Sequence, residues 1–457
     1  MRAMLIACAL AASSCSAVLK FHECDVDGDC MGQTDAGSAL YCSDDHMCVG
    51  AIPDYKLCKV EVPANGIIPA GALVIGGIYR TSGANDVNDH AFRNAANLAA
   101  KEFNDSRQYS VAHVVCDTAG DPAQAARAYR VVIERFGAQV VVGADTSDEV
   151  FEVAKLVKEK GVPVVSPSAT NPGITGLDDD GLIWRTAASD NLQSTVLAAL
   201  PLATAKLDII FVNDSNYTIG LKDAFVGSFA AKDGSVLRTL GFAAGDTAGL
   251  NAAVAMAAAD APSVALLIAD FDAPPLMVAV SKSSGLSTTQ FLMTDSAKKP
   301  SLWGQLTSYA VLSRVRGTGP ANPAGSDPSG MAFSVLASNY RREFAGEDPT
   351  ATAFVSNTYD AFYAAAIAGF AAPNRSGKAI AATLARLSSG TKVPVGGNSV
   401  TTAITTLQMG QNIDLIGTSG PIDFDDHGDI FSAPIEVWSV DNTASPPTFK
   451  QDSIVTP

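Results

Sequence analysis

From residue 71 onward the chain alternates between two hydrophobic patterns. Short apolar runs rich in Val, Ile and Leu are typical of buried strands, and the Ala-rich segments between them have helical spacing. Asp121 followed by Pro122 is typical of a helix start, and residues 91–103 also have helical spacing. The pattern predicts an α/β fold of parallel sheets covered by helices on both faces. The predicted strands are residues 72–78, 111–115, 139–143, 162–166, 208–213, 264–269 and 290–294.

Length and charge narrow the classes of function. At 457 residues the chain is too long for one sheet, which predicts two α/β units. Its 31 basic and 47 acidic side chains give a net charge of −16, which argues against nucleic-acid binding and against electrostatic attachment to anionic lipid. No apolar run reaches the ~18 residues of a membrane-spanning helix. Ligands of such folds bind beyond the carboxyl ends of the strands, so the residues that follow each strand are the candidates.

The amino terminus predicts export. A basic start, an apolar stretch at residues 3–12 and small residues before Cys15 are typical of a lipoprotein signal peptide. We expect residues 1–14 to be removed and Cys15 to carry the lipid, which would anchor the protein to a membrane in the periplasm or cell envelope. An ordinary cleaved signal peptide is the alternative.

Cysteine spacing predicts a small disulfide-rich module at residues 15–58. This segment is too short and polar to bury a core of its own. Several connectivities are open, and we favour Cys24–Cys42, Cys30–Cys48 and Cys58–Cys116. A zinc site would need more closely spaced cysteine pairs, and the acidic residues 25–29 lack the Glu of a calcium loop, so no metal is expected.

Seven segments follow one another along the chain at residues 116–122, 143–147, 166–172, 184–193, 213–220, 359–361 and 410–429. In sequence and order they resemble the type I periplasmic binding proteins of the branched-chain amino-acid (leucine/isoleucine/valine) receptor family. The resemblance covers about residues 70–440 and implies two lobes joined by three crossovers, which close on a ligand. Lobe one is expected at residues 59–187 and 319–417, and lobe two at 188–318 and 418–457, with crossovers near 186–190, 317–320 and 417–421.

The resemblance assigns polar contacts in lobe one. Ser147, with Thr146 beside it, matches the serine that binds the carboxylate of the ligand; the alternative is a plain helix N-cap. Ser168 matches the residue whose carbonyl accepts from the ligand's ammonium group, and the hydroxyl of Thr170 adds a second contact. A turn shaped by prolines, in which both residues merely cap, is the alternative reading of that loop.

In lobe two, Asp295 matches the acidic residue that binds the ammonium group, and Tyr217 matches the tyrosine that stacks over the ligand. Tyr79 and Phe271 are expected to be either pocket walls or core residues. The chain also departs from the family pattern. Thr146 replaces the family's second cysteine, which assigns Cys116 to Cys58, and Tyr217 is not followed directly by glycine.

Motifs for catalysis are missing from the sequence. There is no H-x-x-x-H, G-x-S-x-G or Walker motif, and Ser189-Asp190-Asn191 lacks the companion motifs of penicillin-recognising enzymes. We therefore expect no enzyme activity and no cofactor. The resemblance implies a lipoprotein that captures an amino acid or related compound and delivers it to an ABC permease. A ligand sensor or envelope-protein regulator on the same scaffold is the alternative.

Overall fold

The computed structural model describes residues 41–42, 48–49, 54–82 and 90–457. The chain divides into two units, Met1–Leu57 and Cys58–Pro457. In the first, β1 (Tyr41–Cys42) pairs with β2 (Cys48–Val49) in antiparallel fashion, and α1 (Asp54–Leu57) follows. The signal peptide, Cys15, Cys24 and Cys30 lie outside the described residues, as do the side chains of Cys42 and Cys48. Lipidation and the pairings Cys24–Cys42 and Cys30–Cys48 stay predictions.

The second unit begins with a six-stranded sheet that forms lobe one. Its strand order is β3-β5-β4-β6-β7-β8, and all neighbours are parallel except β3 and β5. The strands are β3 (Cys58–Val62), β4 (Leu73–Tyr79), β5 (Val111–Asp117), β6 (Val140–Gly143), β7 (Val164–Ser166) and β8 (Ile183–Arg185). Cys58 and Cys116 lie opposite each other on β3 and β5 and form a disulfide, which confirms that predicted pair.

Helices cover this sheet and contain the expected caps. Asp121 caps α3 by accepting hydrogen bonds from the amides of Ala123 and Gln124, and Gly137 ends it with a left-handed φ of 72°. α10 is apolar on nearly all sides because it is buried within lobe one. The helices are α2 (His90–Asp105), α3 (Pro122–Phe136), α4 (Ser147–Lys160), α9 (Pro328–Glu343), α10 (Val355–Ala371), α11 (Gly377–Leu384) and α12 (Val400–Gln408), with a small parallel pair of strands, β14 (Thr391–Pro394) and β15 (Ile413–Ile416).

Lobe two contains a seven-stranded sheet in the order β10-β9-β11-β12-β13-β16-β17. The first five strands are parallel, and an antiparallel hairpin completes the edge. All the strands predicted from the apolar runs are present in the two lobes, and the two-lobed α/β fold is confirmed. The elements are β9 (Leu207–Val212), β10 (Val236–Phe242), β11 (Val264–Ile268), β12 (Gln290–Met293), β13 (Val315–Pro320), β16 (Ile435–Asp441), β17 (Thr448–Val455), α5 (Asp190–Leu197), α6 (Asn216–Ala230), α7 (Thr247–Asp260) and α8 (Ala273–Lys282).

The second and third crossovers differ in place from the sequence expectation. The first lies at residues 186–189 between β8 and α5, and the second follows β13 rather than coinciding with its end. The third comes later than the expected 417–421, because residues 421–430 still belong to lobe one. Ile422 donates to Leu415 at 2.9 Å, Arg185 donates to Gly428 at 2.9 Å, and the chain enters the second sheet at β16.

Buried polar contacts explain why residues 417–421 are not a hinge. The backbone amides of Thr418 and Ser419 donate to the carboxylate of Asp360 on α10 at 2.8 and 2.7 Å. Both hydroxyls donate to the same carboxylate, so the turn is fixed to a helix of lobe one. Burial raises the pKa of Asp360 to about 6, and these hydrogen bonds oppose that shift. Glycine and small polar residues, which suggested a hinge, here allow a tight turn around a buried acid.

Candidate functional site

A cavity of about 390 Å³ lies between the carboxyl ends of the strands of the two lobes. Its walls come from the loops that follow β4, β6 and β7 in lobe one and β9 to β12 in lobe two, which is where ligands of such folds bind. Six residues expected at the site line this cavity: Thr146, Ser147, Ser168, Tyr217, Phe271 and Asp295. Thr170 and Tyr79 are not among its lining residues. Ligand contacts of all eight stay predictions.

The start of α4 forms one wall. Thr146 is the N-cap: its hydroxyl accepts from the amide of Glu149 at 3.2 Å, and the Glu149 carboxylate accepts from the Thr146 amide at 3.1 Å. Ser147 is therefore the first helical residue rather than the cap, and its hydroxyl accepts from the Asn171 amide at 3.1 Å. Both Ser147 and Asp148 line the cavity at the positive end of the helix dipole, where an anionic group of a ligand is stabilised.

The loop after β7 connects the cavity to the first crossover. Ser168 lines the cavity, and its hydroxyl donates to the carbonyl of Asp145 at 2.6 Å. The carbonyl of Thr170 accepts from the amide of Asp190 at 2.8 Å. The Thr170 hydroxyl is buried and makes no hydrogen bond of good geometry within the described part of the chain. This loop thus joins the wall of lobe one to the beginning of α5.

Asp295 and Tyr217 form the wall of lobe two. The Tyr217 hydroxyl donates to the Asp295 carboxylate at 2.9 Å, and the Gln193 side-chain amide donates to the same oxygen at 2.8 Å. Burial raises the pKa of Asp295 to about 6, although both hydrogen bonds favour the ionised form. A cationic group in the cavity would reverse this shift, because it would compensate the buried negative charge.

Asp190 is a residue to which sequence reasoning gave no role. It is fully buried, and neither carboxylate oxygen has a hydrogen-bond partner of good geometry among the described residues. Burial, and then the charge of Asp295, raise the pKa of Asp190 well above its usual range, and the nearby Thr170 hydroxyl opposes this. Asp190 does not line the cavity, so it influences the site through its charge interaction with Asp295 rather than by direct contact with a ligand. The only sequence signal was its place in the segment 184–193.

Tyr79 belongs to the core of lobe one. The Asn97 amide donates to Glu61 at 2.6 Å, so its oxygen faces the Nδ1 of His113 at 2.7 Å and accepts a hydrogen bond from it. The Nε2 of His113 is then free to accept from the Tyr79 hydroxyl at 3.4 Å. Arg80, the next residue, lines the cavity instead. Of the two expectations for Tyr79, the structure supports a core position.

The buried His113 should make lobe one sensitive to acid. Burial lowers its pKa from 6.5 to about 4, so below pH 6.5 the unfolded chain takes up a proton that the folded chain does not. Stability contributed by neutral His113 is complete above pH 6.5 and is lost as the pH falls towards 4, by about 3 kcal/mol in total.

We expect His113→Gln to remove this component of the pH dependence, as measured by urea unfolding between pH 4 and 7. The raised pKa values of Asp295 and Asp360 make the folded state more stable as the pH falls, which is opposite to the effect of His113. Because both proteins contain these two carboxyl groups, the difference between their pH profiles isolates the contribution of His113. Parallel pH profiles for the two proteins would contradict the assignment.

The two lobes touch across the cavity. The Asp148 carboxylate of lobe one accepts from the Ser215 hydroxyl at 2.7 Å and from the Asn216 amide at 2.8 Å. The guanidinium of Arg80 lies 3.8 Å from the centre of the Phe271 ring, a cation–π contact between lobes. These contacts hold the lobes in a closed arrangement. Phe271, which was expected to be a wall or a core residue, is a wall that also joins the lobes.

Among the described residues, no three or more His, Cys, Asp or Glu side chains form a cluster suitable for a metal ion. Within the same residues, every helix is too short or too polar to cross a bilayer.

Comparison with known proteins identifies the family. The family model described as periplasmic binding protein matches residues 72–416. The chain belongs to the periplasmic binding protein family. Members of this family are exported solute-binding proteins rather than enzymes, and the resemblance inferred from the sequence is confirmed.

Two curated relatives are similar over part of their length. A Leu/Ile/Val-binding protein, BraC3, from Rhizobium johnstonii is 34% identical over 146 residues, which are 30% of this chain and 39% of the relative. The Leu/Ile/Val-binding protein homolog 3 of Brucella melitensis is 34% identical over 113 residues, or 24% of this chain and 30% of the relative. The chain thus aligns with less than half the length of either relative.

Solved structures share the fold. A leucine-binding protein, LivK, of Thermotoga maritima has a TM-score of 0.69 at 21% identity and covers 84% of this chain and 99% of its own. LivJ of Streptococcus pneumoniae, in complex with isoleucine, has a TM-score of 0.67 at 20% identity, with 84% and 100% covered. A solute-binding protein of R. palustris in complex with 4-hydroxybenzoate has a TM-score of 0.67 at 16% identity, with 84% and 97% covered.

Proposed function

We propose that the protein is the solute-binding component of an ABC-type uptake system, and that it captures an amino acid or a related zwitterion between its lobes. The observation that carries this proposal is that groups suited to an anion and groups suited to a cation line opposite sides of one cavity. Ser147 and the start of α4 lie on one side, and the buried Asp295, with Asp190 close to it, lies on the other. A carboxylate suits the first wall and an ammonium group suits the second.

Aromatic acids are a less suitable class of ligand. A relative of similar fold was solved with 4-hydroxybenzoate, which has no ammonium group. In this cavity such a ligand would leave the carboxyl group of Asp295 buried without a cation. The names of the two curated relatives, both Leu/Ile/Val-binding proteins, also support an amino acid.

The proposal is tested by thermal-shift and calorimetric screening of the mature chain with the common amino acids and 4-hydroxybenzoate. An amino acid at about 100 times its Kd should add ~2.7 kcal/mol to the free energy of unfolding. A chain that binds 4-hydroxybenzoate and no amino acid would contradict the assignment.

Asp295→Asn is expected to weaken binding of the amino acid found in that screen by about 100-fold, because the substitution removes the charge that compensates the ammonium group. Isothermal titration calorimetry at pH 7.5 measures the effect. Asp233→Asn, an exposed change in the same lobe, is the matched control and should leave Kd unchanged. Equal affinities for the two variants would remove Asp295 from the site.

Transport and anchoring are tested separately. Deletion of the gene should abolish uptake of the identified ligand by intact cells, and a neighbouring permease and ATPase gene pair would agree with this result. A strain that loses no uptake would favour the sensor or regulator role.

Replacement of Cys15 should release the protein from the membrane fraction, if this cysteine carries the lipid.

A further inference from the structure

Acidic side chains outnumber cationic ones in the walls of the cavity. Three cationic side chains line it, against six aspartates, and the cations already interact within the protein. Lys298 forms a buried ion pair with Glu436, and Lys299 pairs with Asp270 at 3.0 Å. Arg80 lies against the Phe271 ring. The lining aspartates are Asp145, Asp148, Asp214, Asp270, Asp272 and Asp295.

The carboxyl groups of lobe two influence one another along the cavity. The charge of Asp270 raises the pKa of Asp295, and the charges of Asp214 and Asp270 raise the pKa of Asp272 after burial. The negative charge is therefore not confined to the expected ammonium site around Asp295.

Asp214 and Asp272 form a second acidic position in this cavity. Asp214 follows β9 and accepts from the Ala244 amide at 2.9 Å, and Asp272 follows β11 and accepts from the Gly245 amide at 3.1 Å. These bonds fix both carboxylates beside the loop after β10. Neither residue forms an ion pair within the described part of the chain, so each retains capacity to accept from a cation.

We propose that the ligand is a basic amino acid, or a close analogue with two cationic groups, and that Asp214 and Asp272 bind the distal cation. This rests on the proposed capture of an amino acid and specifies its class. The α-ammonium group would bind near Asp295, and the carboxylate would bind at the start of α4. Asp214 is exposed and Asp272 is partly buried in this closed arrangement, so a distal cation there would stay partly solvated and be bound by charge attraction, which a neutral side chain does not provide. A volume of about 390 Å³ suits a ligand of this size.

Lysine and norleucine provide a matched pair of probes, because they differ only in the terminal amine. We expect calorimetry on the mature chain at pH 7.5 to give a Kd for L-lysine or L-ornithine at least tenfold lower than for L-norleucine. Asp214→Asn/Asp272→Asn should weaken binding of the basic amino acid at least tenfold and leave binding of norleucine within about twofold. Retained binding of norleucine, together with an unchanged circular dichroism spectrum, shows that the variant is folded. Asp223→Asn/Asp233→Asn, which removes two exposed carboxylates of the same lobe, is the control for net charge.

The outcomes separate this inference from the proposed function. Binding of leucine or norleucine with equal or higher affinity than lysine would overturn the inference and keep the proposed function. Tight binding of glutamate would overturn it in the same way. Lysine binding that is unaffected by the double substitution would overturn the assignment of Asp214 and Asp272. Absence of binding by every amino acid would contradict the proposed function itself.

Discussion

Replacing Asp429 by asparagine is expected to lower the free energy of unfolding by about 3–5 kcal/mol. The guanidinium of Arg185 is fully buried and donates to both oxygens of the Asp429 carboxylate at 2.6 and 2.5 Å. It also donates to the carbonyl of Asn171 at 2.9 Å. Without the carboxylate charge, the buried Arg185 cation is compensated only by neutral hydrogen-bond acceptors. The free-energy cost of such a cation is larger than the net stability that the ion pair contributes.

Urea unfolding followed by circular dichroism measures this effect, and Asp426→Asn is its control. Asp426 is exposed, lies in the same loop and forms no ion pair among the described residues, so its replacement should change stability by less than about 0.5 kcal/mol. Equal stability of the two variants would contradict the conclusion that the Asp429 carboxylate compensates the buried charge of Arg185. Because the pair joins β8 to residues 421–430, it also supports the loop that carries Ser168 and Thr170.

Removing the Cys58–Cys116 disulfide by a double alanine substitution is expected to cost about 4 kcal/mol. The bond closes a loop with a sequence separation of 58 residues, and the chain entropy regained by the unfolded state on its loss has that magnitude. Alanine avoids placing a hydroxyl at position 116, which is fully buried. The denaturation midpoint should fall accordingly.

Reducing agent distinguishes this bond from others in the chain. Dithiothreitol should lower the denaturation midpoint of the wild type by a similar amount. In the Cys58→Ala/Cys116→Ala variant, dithiothreitol should not change the midpoint for unfolding of lobe one. A variant as stable as the wild type would show that pairing of β3 with β5 alone holds this edge of the sheet.

The loops of the site could be predicted from the sequence, because ligand-binding loops follow parallel strands and apolar runs indicate the strands; the individual residues came from the family resemblance. Ser147, Ser168, Tyr217 and Asp295 come from separate loops, and the structure brings all four to one cavity. The hydrogen-bond partners of these residues could not be predicted from the sequence. Thr146, rather than Ser147, became the helix cap, because its hydroxyl accepts from the amide of Glu149 in a capping box.

The sequence by itself determined the strands and the start of α3 at Asp121, because periodicity and capping chemistry are specified by neighbouring residues. The two lobes and the pairing of Cys58 with Cys116 were predicted from the resemblance to a known family and from departures from its pattern. Tertiary structure alone decided that Tyr79 faces His113 while Arg80 faces the cavity, that residues 421–430 stay in lobe one, and that Asp190 lies close to Asp295. These outcomes depend on desolvation and charge between segments distant in sequence, and burial of a polar group is a property of the packed fold rather than of its local pattern.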